Sequence, residues 1–297
     1  MEILEYHPFK SIEAKEKYLK MYNEKLKEWP IHSESKIIDT SYGQTFVQIS
    51  GSSDAPPLVL LTGLGGNSLS WIPQIKELSQ QFRTYAVDNI CDIGLSVSKR
   101  AITGHDNFTA WLDELFTALG LENNINLMGL SYGGWLAGEY ALSHHERLRK
   151  IVMIMPAIVQ PISPEFLAKM AQILVDTENT NNLISWLYKD FLQKDETNLK
   201  KMEALMEEQK IAASYFEIKP AIQPRVFEDA ELQGIKVPAL FVVGENEKTY
   251  SAQEAVKRLN SAAPQIKTEI IPNAGHDLMH VQEDLVIGKI LEFLSGE

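Results

Sequence analysis

The sequence predicts an α/β fold: a mostly parallel central sheet covered by helices, with a helical cap inserted between two of its strands. Three observations carry this. Short continuous apolar runs alternate with helical periodicities, a Gly-x-Ser-x-Gly segment joins one such run to a helix, and the alternation stops between Val159 and Gly234 before it resumes. Continuous runs are informative because a strand buried on both faces has no polar side to show, whereas a strand with one wet face alternates.

Residues 11–29 place Ile12, Tyr18, Leu19, Tyr22, Leu26 and Trp29 at helical spacing, and Pro30 ends the run. The other face mixes Lys15, Lys17, Lys20, Lys25 and Lys27 with Glu13, Glu16, Glu24 and Glu28. Membrane-surface helices are enriched in basic residues alone, so mixed charge favours a helix packed on the body with a solvated face. Lys36 to Thr40 and Thr45 to Ser50 are rich in β-branched residues around Ser-Tyr-Gly-Gln and read as an antiparallel hairpin. Leu58 to Leu61 is the first buried parallel strand, opening into the glycine-rich turn Thr62-Gly63-Leu64-Gly65-Gly66 and a helix from Trp71 to Phe82. Arg83 to Val87 is a strand ending at Asp88, and Asp106 to Leu119 is a helix closed by Gly120.

Ile125 to Met128 leads into Gly129-Leu130-Ser131-Tyr132-Gly133, followed by the apolar-striped helix Trp135 to Leu142. A sharp strand-to-helix turn strains the central residue and crowds its neighbours. Glycine two before and two after the serine removes the Cβ atoms that would collide, leaving the hydroxyl clear of the sheet at a helix N-terminus. Ile151 to Met155 is the next strand, stopped by Pro156. Ser163-Pro164-Glu165 starts a helix in the insert, through which Trp186, Tyr188, Phe191, Met202, Met206, Tyr215 and Phe216 are scattered. Val237 to Val243 and Ile266 to Ile271 complete the sheet, and Leu278 to Leu294 is the last helix. The expected organisation is an N-terminal helical segment over 1–35, a core over 36–158 and 235–297, and a cap over 159–234.

Composition narrows the function classes. An apolar content of 44% with 23% charged residues suits a folded chain of 297 residues. A net charge of −12 argues against a broad nucleic-acid surface, which needs clustered Lys and Arg. The single cysteine, Cys91, precludes an intramolecular disulfide and fits a reducing compartment. With no signal-like segment and no apolar run of membrane-spanning length, a soluble cytoplasmic protein without membrane attachment is expected.

A serine hydroxyl is a poor nucleophile at neutral pH, because its proton must leave as it attacks. It needs a base within hydrogen-bond reach, and the base needs an orienting acid. Of seven histidines, His276 lies in Pro272-Asn273-Ala274-Gly275-His276, just after the last strand. Turns after parallel strands open on one edge of the sheet, where ligands bind, so His276 and Ser131 are expected to face each other. His280, one helical turn on, is the fallback; His144 and His145 close a surface helix, and His7, His32 and His105 lack such placement. The acid is expected in Gly244-Glu245-Asn246-Glu247-Lys248, with Glu247 first and Glu245 second. The oxyanion that develops during acyl transfer needs backbone N–H donors: that of Tyr132, after the nucleophile, and that of Leu64, in the turn after Leu61. The Gly63–Gly66 turn lacks the Lys and Ser/Thr of a P-loop, and neither His-Glu-x-x-His nor paired cysteines occur, so no metal or other cofactor is implied.

Together these residues resemble the α/β-hydrolase family, from about residue 36 to the C-terminus, and look closest to its small capped carboxylesterases. Gly129 to Gly133 matches the nucleophile motif, Gly244 to Glu247 the acid turn and Ala274-Gly275-His276 the base motif. Asp88 to Ser96 is similar to the family's Asp…Gly-x-Gly-x-Ser loop, with Cys91 and Leu95 where glycine is common. Thr62 stands where many members have histidine, and Glu247 replaces the commoner aspartate. The resemblance implies a serine hydrolase that cleaves a small carboxylic ester through an acyl-enzyme. Aminopeptidase, amidase, C–C bond hydrolase or acyltransferase activity is the alternative within the fold, and a non-catalytic ligand receptor the alternative outside catalysis.

Overall fold

In the computed structural model, which describes residues 9–175, 179–194, 211, 214–216 and 222–296, the chain begins with α1 (Ile12–Leu26). It continues through the hairpin β1 (Ser33–Thr40) and β2 (Gly43–Ser50), then β3 (Pro57–Leu61), α2 (Ile75–Leu78), β4 (Arg83–Val87) and β5 (Val97–Ser98). Then come α3 (His105–Ala118), β6 (Ile125–Leu130), α4 (Tyr132–Ser143) and β7 (Leu148–Ile154). Between β7 and β8 (Ala239–Gly244) lie α5 (Pro164–Val175), α6 (Thr180–Leu187), α7 (Lys189–Lys194) and α8 (Asp229–Gly234). The chain finishes with α9 (Ala252–Ala262), β9 (Ile266–Ile271), α10 (Leu278–Val281) and α11 (Glu283–Ser295).

The described strands form one sheet in the order β1-β2-β4-β3-β6-β7-β8-β9, with β5 on β2. Pairs from β4 to β9 are parallel, and those of β2 are antiparallel. Alternation within the apolar runs sorts side chains between two cores. On β3, Val59 and Leu61 join the core containing Trp111, Trp135 and Tyr140, while Leu58 and Leu60 join the one containing Trp71, Ile290 and Leu294. Ile151 and Met153 against Val152 and Ile154 repeat the division on β7.

The N-terminal helix packs on the body through buried Tyr18 and Tyr22, beside Phe9, Phe46 and Phe216. Its charged face is solvated and carries pairs such as Lys17–Glu13. Ile12, expected on the packed face, is exposed at the helix start. Two expected helices are broken. In place of one helix from Trp71 to Phe82 there is a 3₁₀ turn at Ser68–Trp71 and the single turn α2. Pro73 lies between them and has no N–H to give a helical ladder. The helix expected over Leu278 to Leu294 breaks at Gln282, whose backbone (φ −127°, ψ 38°) is non-helical and whose side chain donates to the Pro272 carbonyl at 3.1 Å. The short β5 carries no periodic signal in sequence.

Between β7 and β8 the described residues are mainly helical, with one isolated antiparallel bridge between Phe216 and Phe9. Ser163 caps α5, its hydroxyl accepting from the Phe166 N–H at 3.2 Å. Met202 and Met206 lie outside the described residues. The segment returns to the body before α8: Phe227 and Leu232 are buried in the same core as Trp135, and the Phe227 N–H donates to the Ile158 carbonyl at 2.8 Å. Entry and exit of the segment therefore adjoin.

Candidate active site

Ser131 sits between β6 and α4 with φ 51°, in the left-handed region that side chains other than glycine rarely adopt. The flanking glycines explain how this turn closes. A Cβ on Gly129 would lie 2.0 Å from the Gly133 carbonyl oxygen, and one on Gly133 would lie 2.6 Å from those of Leu61 and Thr62. No side chain fits at either place. The strain is held by backbone: the Ser131 N–H donates to the Ile154 carbonyl at 2.7 Å, and the Ser131 carbonyl accepts from the Trp135 N–H at 3.1 Å.

That rung is the first of a series crossing the sheet edge. The Met155 N–H donates to Val242 at 2.7 Å, Glu245 to Ile271 and Asn246 to Ala274, both at 2.9 Å. The turns after β6, β7, β8 and β9 are thus joined by backbone just past the strand ends. Adjacent strands lie about 4.8 Å apart, so the β6 and β8 ends are about 10 Å apart. One imidazole and one carboxylate placed end to end span that distance.

The structure brings His276 and Glu247 together: Nδ1 is 2.9 Å from Glu247 Oε2. Glu247 Oε1 accepts from the Lys248 and Thr249 N–H groups, each at 2.8 Å. Burial, the largest influence on Glu247, pushes its pKa up, but the neighbouring His276 and the Thr249 bonds hold it below the ordinary carboxylate value. The imidazole responds in the opposite sense. Burial pulls His276 down, yet the charge and hydrogen bond of Glu247, with Asp277 adding to them, leave it raised. With Glu247 ionised, Nδ1–H is the donor and Nε2 is left as the basic nitrogen. Among the described residues the Ser131 hydroxyl has no hydrogen-bond partner. Serine–histidine contacts in unliganded sites commonly tighten only once substrate binds.

The alternatives raised by the sequence sit elsewhere. Glu245 accepts from the Asn273 N–H at 3.1 Å and so braces the turn after β9. His280 is packed against Tyr188 and Phe191, and burial lowers it to about 4, so it stays neutral. His144 stacks on Tyr140, while half-buried His105 and His145 lie beside Glu139 and Glu146, respectively. His32 is exposed, and His7 lies outside the described residues.

The two expected oxyanion donors belong to turns that meet at the elbow. A Cβ on Gly63 would lie 3.6 Å from Ser131 Cβ, so the turn carrying Leu64 packs against the elbow. Tyr132 is the first residue of α4, where the N–H has no intrahelical acceptor. Thr62 has lost the histidine position's imidazole but keeps the loop tied, its carbonyl accepting from Asn89 Nδ2 at 3.1 Å.

Several residues that the sequence reading passed over shape the site. Asp277, fully buried, accepts from the Gly275 N–H at 3.0 Å and from the Phe191 N–H at 2.7 Å, tying α7 to the histidine turn. Asn246 Nδ2 donates to Asp190 at 3.0 Å, and Lys248 Nζ to the Trp186 carbonyl. Buried Asp88 accepts from the Ser68 and Leu95 N–H groups at 2.7 Å and from the Tyr22 hydroxyl at 3.1 Å. An aspartate beside the motif histidine and polar residues inside strand-end turns are the only sequence signals for these; apart from Gly275 and Leu95, their partners lie 20 to 86 residues away.

A parallel sheet covered on both faces, with a strained serine turn on one strand and acid and histidine turns on later ones, defines an α/β hydrolase. The comparisons agree. A family model described as the alpha/beta hydrolase fold matches residues 56–204. The chain is 35% identical over 295 residues to carboxylesterase YbfK of Bacillus subtilis, covering 97% of each chain. The crystal structure of that carboxylesterase, CesB, superposes with a TM-score of 0.87, at 34% identity, covering 96% of this chain and 100% of that one. Naproxen esterase of Bacillus subtilis superposes with a TM-score of 0.86 at 31% identity, covering 96% and 99%. The chain belongs to the α/β-hydrolase family, in the group that includes these Bacillus carboxylesterases.

Proposed function

We propose that this chain is a carboxylesterase that cleaves a small carboxylic ester through an acyl-enzyme on Ser131. The observation that carries the reading is the 2.9 Å contact of His276 Nδ1 with buried Glu247, at the sheet edge where the Ser131 turn also opens. Ser131 attacks the carbonyl carbon as His276 takes its proton on Nε2, and Glu247 stabilises the imidazolium. The N–H groups of Leu64 and Tyr132 receive the oxyanion. The imidazolium returns the proton to the leaving alcohol, and water then repeats the sequence to release the acid. The helical segment after β7, read as a cap over this edge, supplies the walls around the acyl group; Tyr188 and Phe191, beside the histidine turn, are suited to that. A small neutral ester needs no nucleic-acid partner or cofactor, and a single cysteine suits the cytoplasm.

A fluorophosphonate probe should label Ser131, located by peptide mapping. Turnover of p-nitrophenyl esters should exceed that of aminoacyl amides by orders of magnitude. An unlabelled, well-folded protein would favour the receptor alternative, and faster amide turnover an amidase.

A further inference from the structure

The turn Gly63–Gly66 is closed by the Gly66 N–H donating to the Gly63 carbonyl at 3.1 Å. Gly65, at its third position, has φ 76°, the left-handed angle that type II turns require there. A Cβ at Gly65 would meet nothing within 4 Å, so glycine is needed for conformation, not for space. The turn's own hydrogen bond leaves the Gly65 N–H unused. It is taken by a carboxylate from across the site, Asp92, at 3.0 Å to Oδ1 and 3.1 Å to Oδ2. The Ile93 N–H donates to the same Oδ1 at 2.8 Å. The loop after β4 thereby grips the peptide immediately after Leu64.

We infer that Asp92 is a positioning residue for ester hydrolysis: its charged carboxylate holds the Gly63–Gly66 turn so that the Leu64 N–H stays beside Ser131. The inference rests on the reading of Leu64 as an oxyanion donor. A β-turn has two orientations of its central peptide, and an acceptor on the Gly65 N–H selects one of them. A carboxylate is the strong form of that acceptor, because charge-assisted bonds are roughly twice as strong as neutral ones.

The grip is sensitive to pH. Burial raises Asp92 to about 7, against the pull of the Ile93 and Gly65 N–H groups, and the nearby Asp88 charge adds to the rise. The Tyr132 hydroxyl also faces it, itself pushed up by burial and by the charges of Asp92 and Cys91. As pH falls through this range Asp92 protonates and the turn loosens, in addition to the protonation of His276.

The test uses full-length wild type, Asp92→Asn, Asp92→Ala and Ser131→Ala with p-nitrophenyl butyrate. Asparagine keeps an Oδ1 for both N–H donors but does not titrate, so it separates the geometry from the charge and guards against a misfolded alanine variant. In wild type, log kcat/KM should fall on the acid side with a slope above 1 over the range in which Asp92 protonates, because the Asp92 charge and neutral His276 both contribute there. In Asp92→Asn, which mimics the protonated form, the slope should be about 1 throughout, with kcat above pH 8 lowered by about tenfold. Asp92→Ala should lose about 30-fold in kcat at that pH with KM within about threefold, as expected for an interaction made mainly in the transition state. A wild-type slope unchanged in Asp92→Asn, or kcat within twofold in Asp92→Ala, would overturn the role of Asp92 while leaving Ser131 as nucleophile. Turnover surviving in Ser131→Ala would overturn the site reading and this inference with it.

Discussion

The turns at the sheet edge and the helical segment above them are built by different means. Ser131, the β8 turn and the β9 turn are joined by backbone hydrogen bonds running on from the sheet, so their spacing is set by strand geometry. The segment between β7 and β8 is attached to that edge mainly through side chains, beside one backbone bond from the Ser163 N–H to the Thr249 carbonyl at 2.6 Å. Asp277 takes the Phe191 N–H, Asn246 meets Asp190, Lys248 reaches the Trp186 carbonyl, and Ser163 Oγ donates to the Lys248 carbonyl at 2.9 Å. At the exit, Arg225 pairs with buried Glu139 of α4, at 2.8 Å, and with Glu231 at 2.7 Å. On the proposed reading, chemistry is anchored where sequence changes are most costly, and the substrate walls where single residues can be exchanged.

The comparison is tested most severely by Ser131→Ala. Turnover should fall by about 10⁴-fold or more, since only the oxyanion donors and binding remain. The melting temperature should hold, because the elbow is kept by backbone and by Gly129 and Gly133. Retention of more than a tenth of wild-type kcat would end the triad reading.

The acid comes next. Glu247→Gln should lower kcat by about 10²- to 10⁴-fold, whereas Glu245→Gln, which only braces Asn273, should change it by less than about tenfold. The histidine's step in the acid limb should also move. Glu247 raises His276, so wild-type kcat/KM should lose activity through a pKa above 6.5, and removing that charge should shift the step to lower pH. An unmoved step would mean that another group titrates there.

Smaller effects are expected from the helical segment. Because Ile158 and Phe227 are hydrogen-bonded, a short Gly-Ser linker in place of residues 161–223 closes the gap and spares buried Phe227 and Leu232. The ratio of kcat/KM between short and long acyl chains should change several-fold or more, while a small fluorophosphonate still labels Ser131. An unchanged ranking would transfer specificity to the loops at Trp71 and Asp88.

Smallest of all, Arg225→Ala should leave kcat within about threefold. Stability should fall by about 1–3 kcal/mol, below the usual cost of breaking a fully buried pair, because Arg225 is partly solvated while Glu139 is left uncompensated. Chemical denaturation reads this directly, and no loss would show that the return of the segment is held by Phe227 alone.

Sequence by itself determined whatever is set by local sterics and periodicity. Gly129 is forced by its contact with Gly133, within a few residues of Ser131, whereas Gly133 also has to clear the Leu61 and Thr62 carbonyls of β3 and its turn; the continuous runs at Leu58, Ile151 and Leu240 read as strands covered on both faces. Their order along the chain then brings the turns of Ser131, Glu247 and His276 to one edge. Tertiary structure decided what depends on distant partners. The choice between Glu247 and Glu245, one facing the imidazole and the other a backbone amide, turns on side-chain direction within a single turn. Tyr22 on Asp88, and Asp92 on Gly65, join segments 66 and 27 residues apart. The break at Gln282 was decided in the same way, its side chain meeting the Pro272 carbonyl, whereas the break at Pro73 is local. Periodicity records which face of an element is buried; it carries no record of which polar atom meets which, because that is fixed only once the faces have packed.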